Sequence, residues 1–280
     1  MIKLVLTDMD NTLVSFGAGH VSARARKAIA AVRAAGVQFG PATGRDYFEL
    51  LRFFDGDDSC FRTGILSNGK KVMVDGDMRR VHLIDNAALQ RFVDYVLTRD
   101  DCFVGAYPLK SAPQNPVWCM GIRQRFAELW GDDLSFEAHA CDAVPDFEII
   151  GATFGCAGTQ ADVEEVMAKG AELCPEFDFV QPVPHWVDIL PSGVNKGSSL
   201  TDLMTELDVC ADEIVFFGDA ENDLAIMREV PNSVAVANAT PEAAATARWH
   251  IGACADDAVA QALEEIARCA QSGQTPSFMR

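Results

Sequence analysis

The chain has 280 residues, of which 49% are hydrophobic and 23% are charged, and its formal net charge is −18 at pH 7. This composition is typical of one large or two ordinary folded domains. The negative charge disfavours nucleic acid and anionic membranes as partners, and no apolar run approaches membrane-spanning length. The nine cysteines contain no C-x-x-C pair, and the N-terminus has no signal-peptide pattern, so we expect a cytoplasmic protein with reduced thiols. The oligomeric state is left open.

The N-terminal part alternates strands and helices. An apolar strand over 4–6 precedes Asp8-Met9-Asp10-Asn11-Thr12, and Ser22 caps a helix that ends near Gly36. A strand over 37–40, a helix near 48–54 and a strand over 64–68 follow. Asp75-Gly76-Asp77 then predicts a hairpin between strands 72–74 and 81–83. This alternation predicts the start of a parallel α/β sheet.

The middle of the chain has a different texture. The apolar spacing predicts helices over 86–99, 122–130 and 159–174, the last opened by a Thr159-Gln160-Ala161-Asp162 capping box. Strands are predicted over 102–107, 147–154, 177–183 and 186–190. We therefore expect an inserted α+β domain over residues 84–186, and a discontinuous Rossmann-like catalytic core over 1–83 and 187–280.

The alternation of strands and helices resumes after the insertion. A helix is predicted over 195–207, a strand over 213–217, a helix near 222 and a strand over 233–237. Thr240-Pro241 opens another helix, a last amphipathic helix spans 256–271, and residues 272–280 are predicted to be a frayed tail.

Four polar clusters follow apolar strands or begin helices: Asp8/Asp10/Thr12, Thr43-Gly44-Arg45, Asn195-Lys196 and Gly218-Asp219-Ala220-Glu221-Asn222-Asp223. Taken alone, the first is equally typical of an Asp-rich turn. Since parallel strands open onto one sheet edge, however, the four clusters can converge. Carboxylates of Asp8 and Asp219 suit Mg²⁺, while Thr43, Lys196 and the amides of its helix N-terminus suit a phosphate.

This order of motifs resembles that of the haloacid dehalogenase-like superfamily of aspartate-nucleophile phosphohydrolases. The four clusters match its first to fourth motifs in order, and the insertion resembles the large α/β cap of the Cof-type phosphatases. Ser67-Asn68-Gly69 lies where that group has a similar Asn-Gly turn. Asn11 departs from the pattern, since many Cof-type members have Gly there.

The resemblance implies roles for these residues. Asp8 would be the nucleophile and Asp10 the general acid and base. Mg²⁺ would be held by the Asp8 carboxylate, the Asp10 backbone carbonyl and Asp219. Further residues would support the site: Thr43, Gly44, Lys196 and Asn222 would bind phosphate, Thr12 would lock the loop, and Asp223 would orient Lys196 or a metal-bound water.

The resemblance predicts a Mg²⁺-dependent phosphatase acting on a small phosphorylated metabolite such as a sugar phosphate. A phosphomutase using the same intermediate and a non-catalytic phosphate-binding module are the alternatives. In the inserted domain Tyr107, Arg125, His185 and Trp186 are candidate substrate contacts, although a core or solvated role is favoured for each, and the sequence cannot name the substrate. Arg45 would touch substrate or pair with a nearby acid.

Overall fold

The computed structural model describes residues 1–15, 17–110, 116–121 and 138–280. The chain forms two compact units: Met1–Val81 with Asn195–Arg280, and His82–Val194. Residues 187–194 were expected to belong to the first unit. They lie with the second because the strand Trp186–Pro191 pairs with strands on both of its sides there. Among the described residues, no helix has the length and apolar composition needed to cross a bilayer.

The first unit is built on a five-stranded parallel sheet of order β14-β13-β12-β1-β2. The alternation of side chains along β1 places Leu4 and Leu6 in one apolar cluster and Val5 in another. Both faces of the sheet are therefore covered, as is usual for parallel strands. The strands are β1 Leu4–Thr7, β2 Gln38–Pro41, β12 Ile214–Gly218, β13 Asn232–Ala235 and β14 Trp249–His250.

Six α-helices belong to this unit among its described residues. Those on the Val5 side, α1 and α8, bury Ile29, Val32, Leu263 and Ile266 in a shared cluster. Leu200, Leu203 and Ile226 from α5 and α6 pack with Leu4 and Leu6. The helices are α1 Ala23–Ala34, α2 Tyr47–Phe53, α5 Lys196–Leu207, α6 Leu224–Glu229, α7 Pro241–Thr246 and α8 Ala258–Ser272.

A small antiparallel sheet joins the first unit through a bridge between Ala42 and Ile65. It consists of β3 Gly64–Leu66, β4 Lys71–Val74 and β5 Asp77–Val81. Asp75 and Gly76, with φ of 54° and 89°, make the turn, and a two-residue turn with both φ positive matches the twist of a hairpin. The hairpin prediction is confirmed, but its second strand begins at Asp77, so the prediction of a strand over 81–83 was wrong.

The second unit has a six-stranded sheet of order β10-β11-β9-β6-β7-β8. Its neighbours are antiparallel except for the parallel pair β7 and β8. Residues from α3 and α4, such as Phe92 and Val163, are buried with Val104 and Phe154 of the sheet. The bounds are α3 Asn86–Val96, β6 Cys102–Pro108, β7 Val117–Gly121, β8 Ala138–Ala140, β9 Ile149–Cys156, α4 Gln160–Leu173, β10 Phe177–Val183 and β11 Trp186–Pro191.

The Thr159–Asp162 capping box that opens α4 is confirmed. The helix predicted over 122–130 lies outside the described residues. The predicted fold class, a Rossmann-like parallel sheet with an inserted α+β unit, is confirmed by the sheet order and the division of the chain.

The C-terminal tail was predicted to be frayed, and this was wrong. Phe278 and Met279 pack against the core, with the rings of Phe278 and Phe217 6.1 Å apart. The backbone N–H of Ser277 donates to Glu265 at 2.6 Å. Two apolar side chains in a polar segment gain enough from burial to fix the segment on the sheet.

Candidate active site

Two neighbouring strands bring the first and fourth motifs together. Asp8 directly follows β1, Asp219 directly follows β12, and the two strands are paired with Thr7 opposite Phe217. The Asp8 N–H donates to the Phe217 carbonyl at 2.8 Å. As a result, carboxylate oxygens of Asp8, Asp219 and Asp223 all lie within 4.8 Å of one another.

Lys196 is the cation of this acidic cluster. Its side chain is only 1% exposed, and Nζ donates to Asp8 Oδ1 at 2.7 Å and to Asp223 Oδ1 at 2.8 Å. The second oxygen of Asp223 accepts from the backbone N–H of Asp219 at 2.9 Å and of Ala220 at 3.2 Å. Asp223 thus positions both Lys196 and the loop that carries Asp219.

The cluster has strongly perturbed protonation equilibria. Burial, reinforced by Asp223 and Asp219 and opposed by Lys196, raises the pKa of Asp8 to about 7. Burial also raises the pKa of Asp219 to about 6, against the hydrogen bond from Thr12. Burial alone would lower the pKa of Lys196, but the two carboxylates that face it outweigh burial and raise it. Lys196 therefore stays charged, while Asp8 and Asp219 ionise at a higher pH than exposed carboxyl groups do.

Thr12 was expected to lock its own loop, but its side chain supports Asp219, a candidate metal ligand. Its Oγ1 donates to Asp219 Oδ1 at 2.9 Å, and the residue is 1% exposed. This hydrogen bond fixes the orientation of the Asp219 carboxylate. The preceding residue, Asn11, has a φ of 58°, a left-handed conformation that Asn tolerates better than most residues, which accounts for the departure from Gly at that position.

The Asp10 carboxylate is not one of the three grouped carboxylates and pairs with Arg45. Arg45 binds it with both ends of its guanidinium, Nε to Oδ2 at 2.8 Å and Nη2 to Oδ1 at 2.6 Å. Arg45 also contacts Glu49 at 3.3 Å and lies over the Phe53 ring at 4.3 Å. Of the two readings of Arg45, the structure shows the pairing with a nearby acid, and that acid is Asp10.

The second motif is fixed by backbone bonds to the Asn-Gly turn. Thr43 is fully buried, and its carbonyl accepts from the Asn68 N–H at 2.9 Å. A Cβ added to Gly44 would lie 3.1 Å from the Asn68 side-chain amide, so a larger residue than glycine would crowd this amide. Asn68 Oδ1 is itself buried with no hydrogen-bond partner among the described residues.

The helix that begins at Lys196 differs from expectation in one respect. Asn195 Oδ1 accepts from the N–H groups of Gly197 at 2.9 Å and Ser198 at 3.0 Å. These amides were expected to face an anion, but the cap residue already satisfies them, which leaves the Lys196 ammonium as the candidate anion-binding group here. Asn222 lies exposed in the short turn Glu221–Asp223.

Sequence reasoning missed a partly buried ion pair beside the second motif. Lys71, with a side chain 3% exposed, donates to Asp46 Oδ1 at 2.9 Å and Oδ2 at 2.7 Å. Asp46 also forms a capping box with Glu49 at the start of α2. The Asp-x-x-Glu spacing was the available signal for the cap, whereas the contact with Lys71 comes from the fold.

The candidate contacts of the inserted unit bind within that unit. Tyr107 Oη lies 3.4 Å from Thr153 Oγ1, Trp186 Nε1 donates to Asp188 at 3.2 Å, and His185 Nδ1 lies 3.0 Å from a backbone carbonyl. Arg125 lies outside the described residues. These contacts agree with the structural roles that the sequence favoured.

The residues present fit a hard divalent cation. Asp8 and Asp219 supply buried carboxylate oxygens within 4.8 Å of each other. Burial raises the pKa values of both carboxyl groups, so a bound cation would favour their ionised forms. Mg²⁺ prefers one or two such carboxylates together with waters and phosphate oxygens. Asp10 is expected to contribute only its backbone carbonyl, and its carboxylate is engaged by Arg45.

Residues 5–263 match the family model described as haloacid dehalogenase-like hydrolase. The chain belongs to this family, which confirms the resemblance drawn from the four motifs. A relative is 5-amino-6-(5-phospho-D-ribitylamino)uracil phosphatase YbjI of Escherichia coli, 23% identical over 271 residues that cover 95% of this chain and 96% of that protein. Another is the putative phosphatase YxeH of Bacillus subtilis, 22% identical, covering 95% and 98%.

Solved structures show the same fold. A Eubacterium rectale protein has a TM-score of 0.79 at 22% identity and covers 94% of this chain and 98% of its own. The subclass IIB sugar phosphatase BT4131 has a TM-score of 0.71 at 18% identity, with the same coverage. Family and relatives together confirm the prediction of a phosphoric monoester hydrolase of the haloacid dehalogenase-like superfamily.

Proposed function

We propose that this chain is a Mg²⁺-dependent phosphatase that hydrolyses a small phosphorylated metabolite through a phosphoryl group carried on Asp8. The observation that carries the proposal is the contact between Lys196 Nζ and Asp8 Oδ1 at 2.7 Å, in a buried cluster that also contains the Asp219 carboxylate. A carboxylate, a fixed cation and a second carboxylate are the set that phosphoryl transfer onto an aspartate needs.

In the first step, a carboxylate oxygen of Asp8 attacks phosphorus, and the bond from phosphorus to the ester oxygen breaks. Lys196 stays beside Asp8 because Asp223 holds it at 2.8 Å, so its charge acts on the transferring oxygens throughout. Asp8 and Asp219 would hold Mg²⁺, whose positive charge would let the two anions approach each other.

Asp10 moves the protons in both steps. In its protonated form it gives a proton to the departing ester oxygen. In the second step it takes a proton from the water that attacks the phosphorylated Asp8, which releases phosphate and restores both carboxyl groups. Arg45 occupies both Asp10 oxygens in the structure, so one of these bonds must open for Asp10 to reach the leaving oxygen.

The remaining residues are assigned to binding and support. We assign phosphate contacts to Thr43, Gly44 and Asn222, and we assign catalysis to the first unit, which contains every residue given a chemical role. The small metabolite is inferred from relatives named as a phosphatase of a phosphoribitylamino compound and as a sugar phosphatase.

A panel of sugar, polyol and aryl phosphates, assayed for free phosphate with and without Mg²⁺, tests the proposal. We expect Mg²⁺-dependent phosphate release by the parent protein and by the control Asp256→Asn, which changes an exposed carboxylate, and loss of release in Asp8→Asn. If the product is an isomer of the substrate and no free phosphate is released, the protein is a phosphomutase and the proposal of a phosphatase is wrong. If the protein binds phosphate but turns over none of the esters, it is a non-catalytic phosphate-binding module.

A further inference from the structure

Two cysteines of the second unit face each other across neighbouring strands. Cys102 is the first residue of β6 and Cys156 the last of β9, and the two are direct antiparallel partners. The Ala157 N–H donates to the Asp101 carbonyl at 2.8 Å, while the Cys156 N–H bonds to His185 on the opposite side. Cys102 and Cys156 therefore form a non-hydrogen-bonded pair, the type whose Cα atoms approach most closely, to about 4.5 Å.

This arrangement satisfies the requirements for a covalent link. Disulfides need Cα atoms about 4.4–6.8 Å apart with side chains on the same side, and directly opposite residues of one strand pair project to the same face. The two sulfur atoms and an Asp101 carboxylate oxygen lie within 4.8 Å of one another. Both thiols are free and fully buried.

The surroundings favour thiol chemistry over cation binding. Arg99 binds both oxygens of Asp101 at 2.9 Å. Asp101 is the only carboxylate in this cluster, so a cation bound to the two sulfur atoms would lie close to the positive guanidinium of Arg99. Cys102 Sγ donates to Asp101 Oδ1 at 3.2 Å, and Cys156 Sγ lies 3.7 Å from Oδ2. The Arg99–Asp101 pair thus holds the two sulfur atoms on one side of a fixed carboxylate.

We propose that Cys102 and Cys156 form a reversible dithiol–disulfide site that closes when the protein meets a low-molecular-weight disulfide. This site is separate from the proposed catalytic cluster, and none of its residues is given a role in phosphoryl transfer.

The two thiols are not equivalent. Hydrogen bonds from Cys102 and from the Gly158 backbone lower the pKa of Cys156 despite its burial, whereas the hydrogen bond to Cys156, burial and Asp101 raise the pKa of Cys102. Because the thiolate is the nucleophile in exchange, we assign the first attack to Cys156.

The reaction balances as two exchanges. The Cys156 thiolate attacks one sulfur of the small disulfide, whose S–S bond breaks to release one small thiolate and leave a mixed disulfide. The released thiolate takes up a proton. Cys102 then loses its proton to solvent and attacks Cys156 Sγ, which releases the second small thiol. The protein loses two hydrogen atoms, and the small disulfide gains them.

Oxidation is expected to stabilise the second unit. The bond would close the chain between residues 102 and 156, which restricts the unfolded state. Because both sulfur atoms are buried, the exchange requires local opening at the ends of β6 and β9, where strands fray most easily. Slow reaction in the native state and fast reaction during refolding are the expected kinetics.

The test uses the full chain in buffers of oxidised and reduced glutathione, followed by alkylation and peptide mass mapping. We expect a Cys102–Cys156 cross-linked peptide, with a mass loss of two hydrogen atoms, and a raised thermal midpoint that dithiothreitol reverses. Cys102→Ser should accumulate a glutathione adduct on Cys156, and Cys156→Ser should form no link and show no shift in midpoint. The exposed Cys210 reports that the oxidant has acted.

Refolding from denaturant in the same buffers exposes both cysteines to glutathione, so burial in the folded protein no longer slows the reaction. If Cys102 and Cys156 remain alkylatable after refolding while Cys210 is modified, the site does not exist. Cross-links spread over other cysteines, or an equal adduct on Cys102 when Cys156 is replaced, would also overturn the proposal.

Discussion

Replacing Asp8 with Asn is expected to stabilise the metal-free protein while abolishing its catalysis. The carboxylate is 6% exposed, and burial with two neighbouring acids raises its pKa from 3.8 to about 7. At one pKa unit per about 1.4 kcal/mol, the ionised form costs roughly 4 kcal/mol in the folded state. Asn has the same shape and carries no charge, so it avoids this cost.

The raised pKa of Asp8 determines how the stability difference between parent and variant changes with pH. The stabilisation that protonated Asp8 gives the folded state is complete below pH 3.8 and is lost as the pH rises through about 7. Asp8→Asn should therefore gain about 2–4 kcal/mol over the parent at about pH 8, and little at about pH 4. The lower value allows for the hydrogen bond with Lys196 that the variant weakens.

Urea unfolding in the presence of a chelator, at both pH values, measures this difference. Asp256→Asn, an exposed carboxylate of the same unit, is the matched control and should show no gain. The reasoning is refuted if Asp8→Asn is no more stable than the parent at the higher pH, or if its gain is the same at both. Added Mg²⁺ should narrow the gap by stabilising only the parent.

Three further variants test the support of the site. Thr12→Val removes the 2.9 Å hydrogen bond to Asp219 and should raise the Mg²⁺ concentration for half-maximal activity about 10–100-fold, measured by metal titration; an unchanged titration contradicts the role of Thr12. Asp46→Ala removes both the partner of buried Lys71 and the cap of α2 and should cost about 3–5 kcal/mol in urea unfolding; a neutral effect argues against both roles. Asp10→Asn should slow hydrolysis of an alkyl phosphate about 10²–10⁴-fold and that of an activated aryl phosphate much less; equal losses would exclude leaving-group protonation.

The proposed catalytic cluster could largely be predicted from the sequence because its parts follow strands. Asp8 and Asp219 each come directly after an apolar run, and parallel strands place such residues at one edge. The order β12-β1 made them neighbours, which no local pattern encodes. The sequence could therefore predict convergence of the motifs, but not that Lys196 contacts Asp8 and Asp223 at the same time.

The parts that escaped prediction depend on long-range contacts. The local sequence around Arg45 and Asp10 does not show that their side chains meet. The ion pair of Lys71 with Asp46 likewise joins two distant elements, a strand and a helix cap. The tail was predicted to be frayed because it is short and polar around Phe278, and only the folded core offers that ring a place beside Phe217.

Strand ends were also less predictable than strands. The hairpin turn at Asp75-Gly76 was identifiable from its residues, yet β5 starts immediately after it and is mostly exposed. Without an alternating apolar face, its extent could not be derived. The predicted end of the inserted unit was wrong for a related reason. The apolar pattern of β11 is typical of strands in either unit, and only its pairing with β9 and β10 assigns it to the second unit.

Chemical quench of the enzyme during turnover of a radiolabelled phosphate ester, followed by peptide mapping, tests the central claim most directly. Asp10→Asn should allow the phosphorylated form to accumulate, because the second step needs a base. We predict acid-stable, hydroxylamine-sensitive label on Asp8 that requires Mg²⁺ and is absent from Asp8→Asn. Phosphate released at the parent rate with no label on Asp8, or label on another residue, would contradict the assignment of Asp8 as the nucleophile.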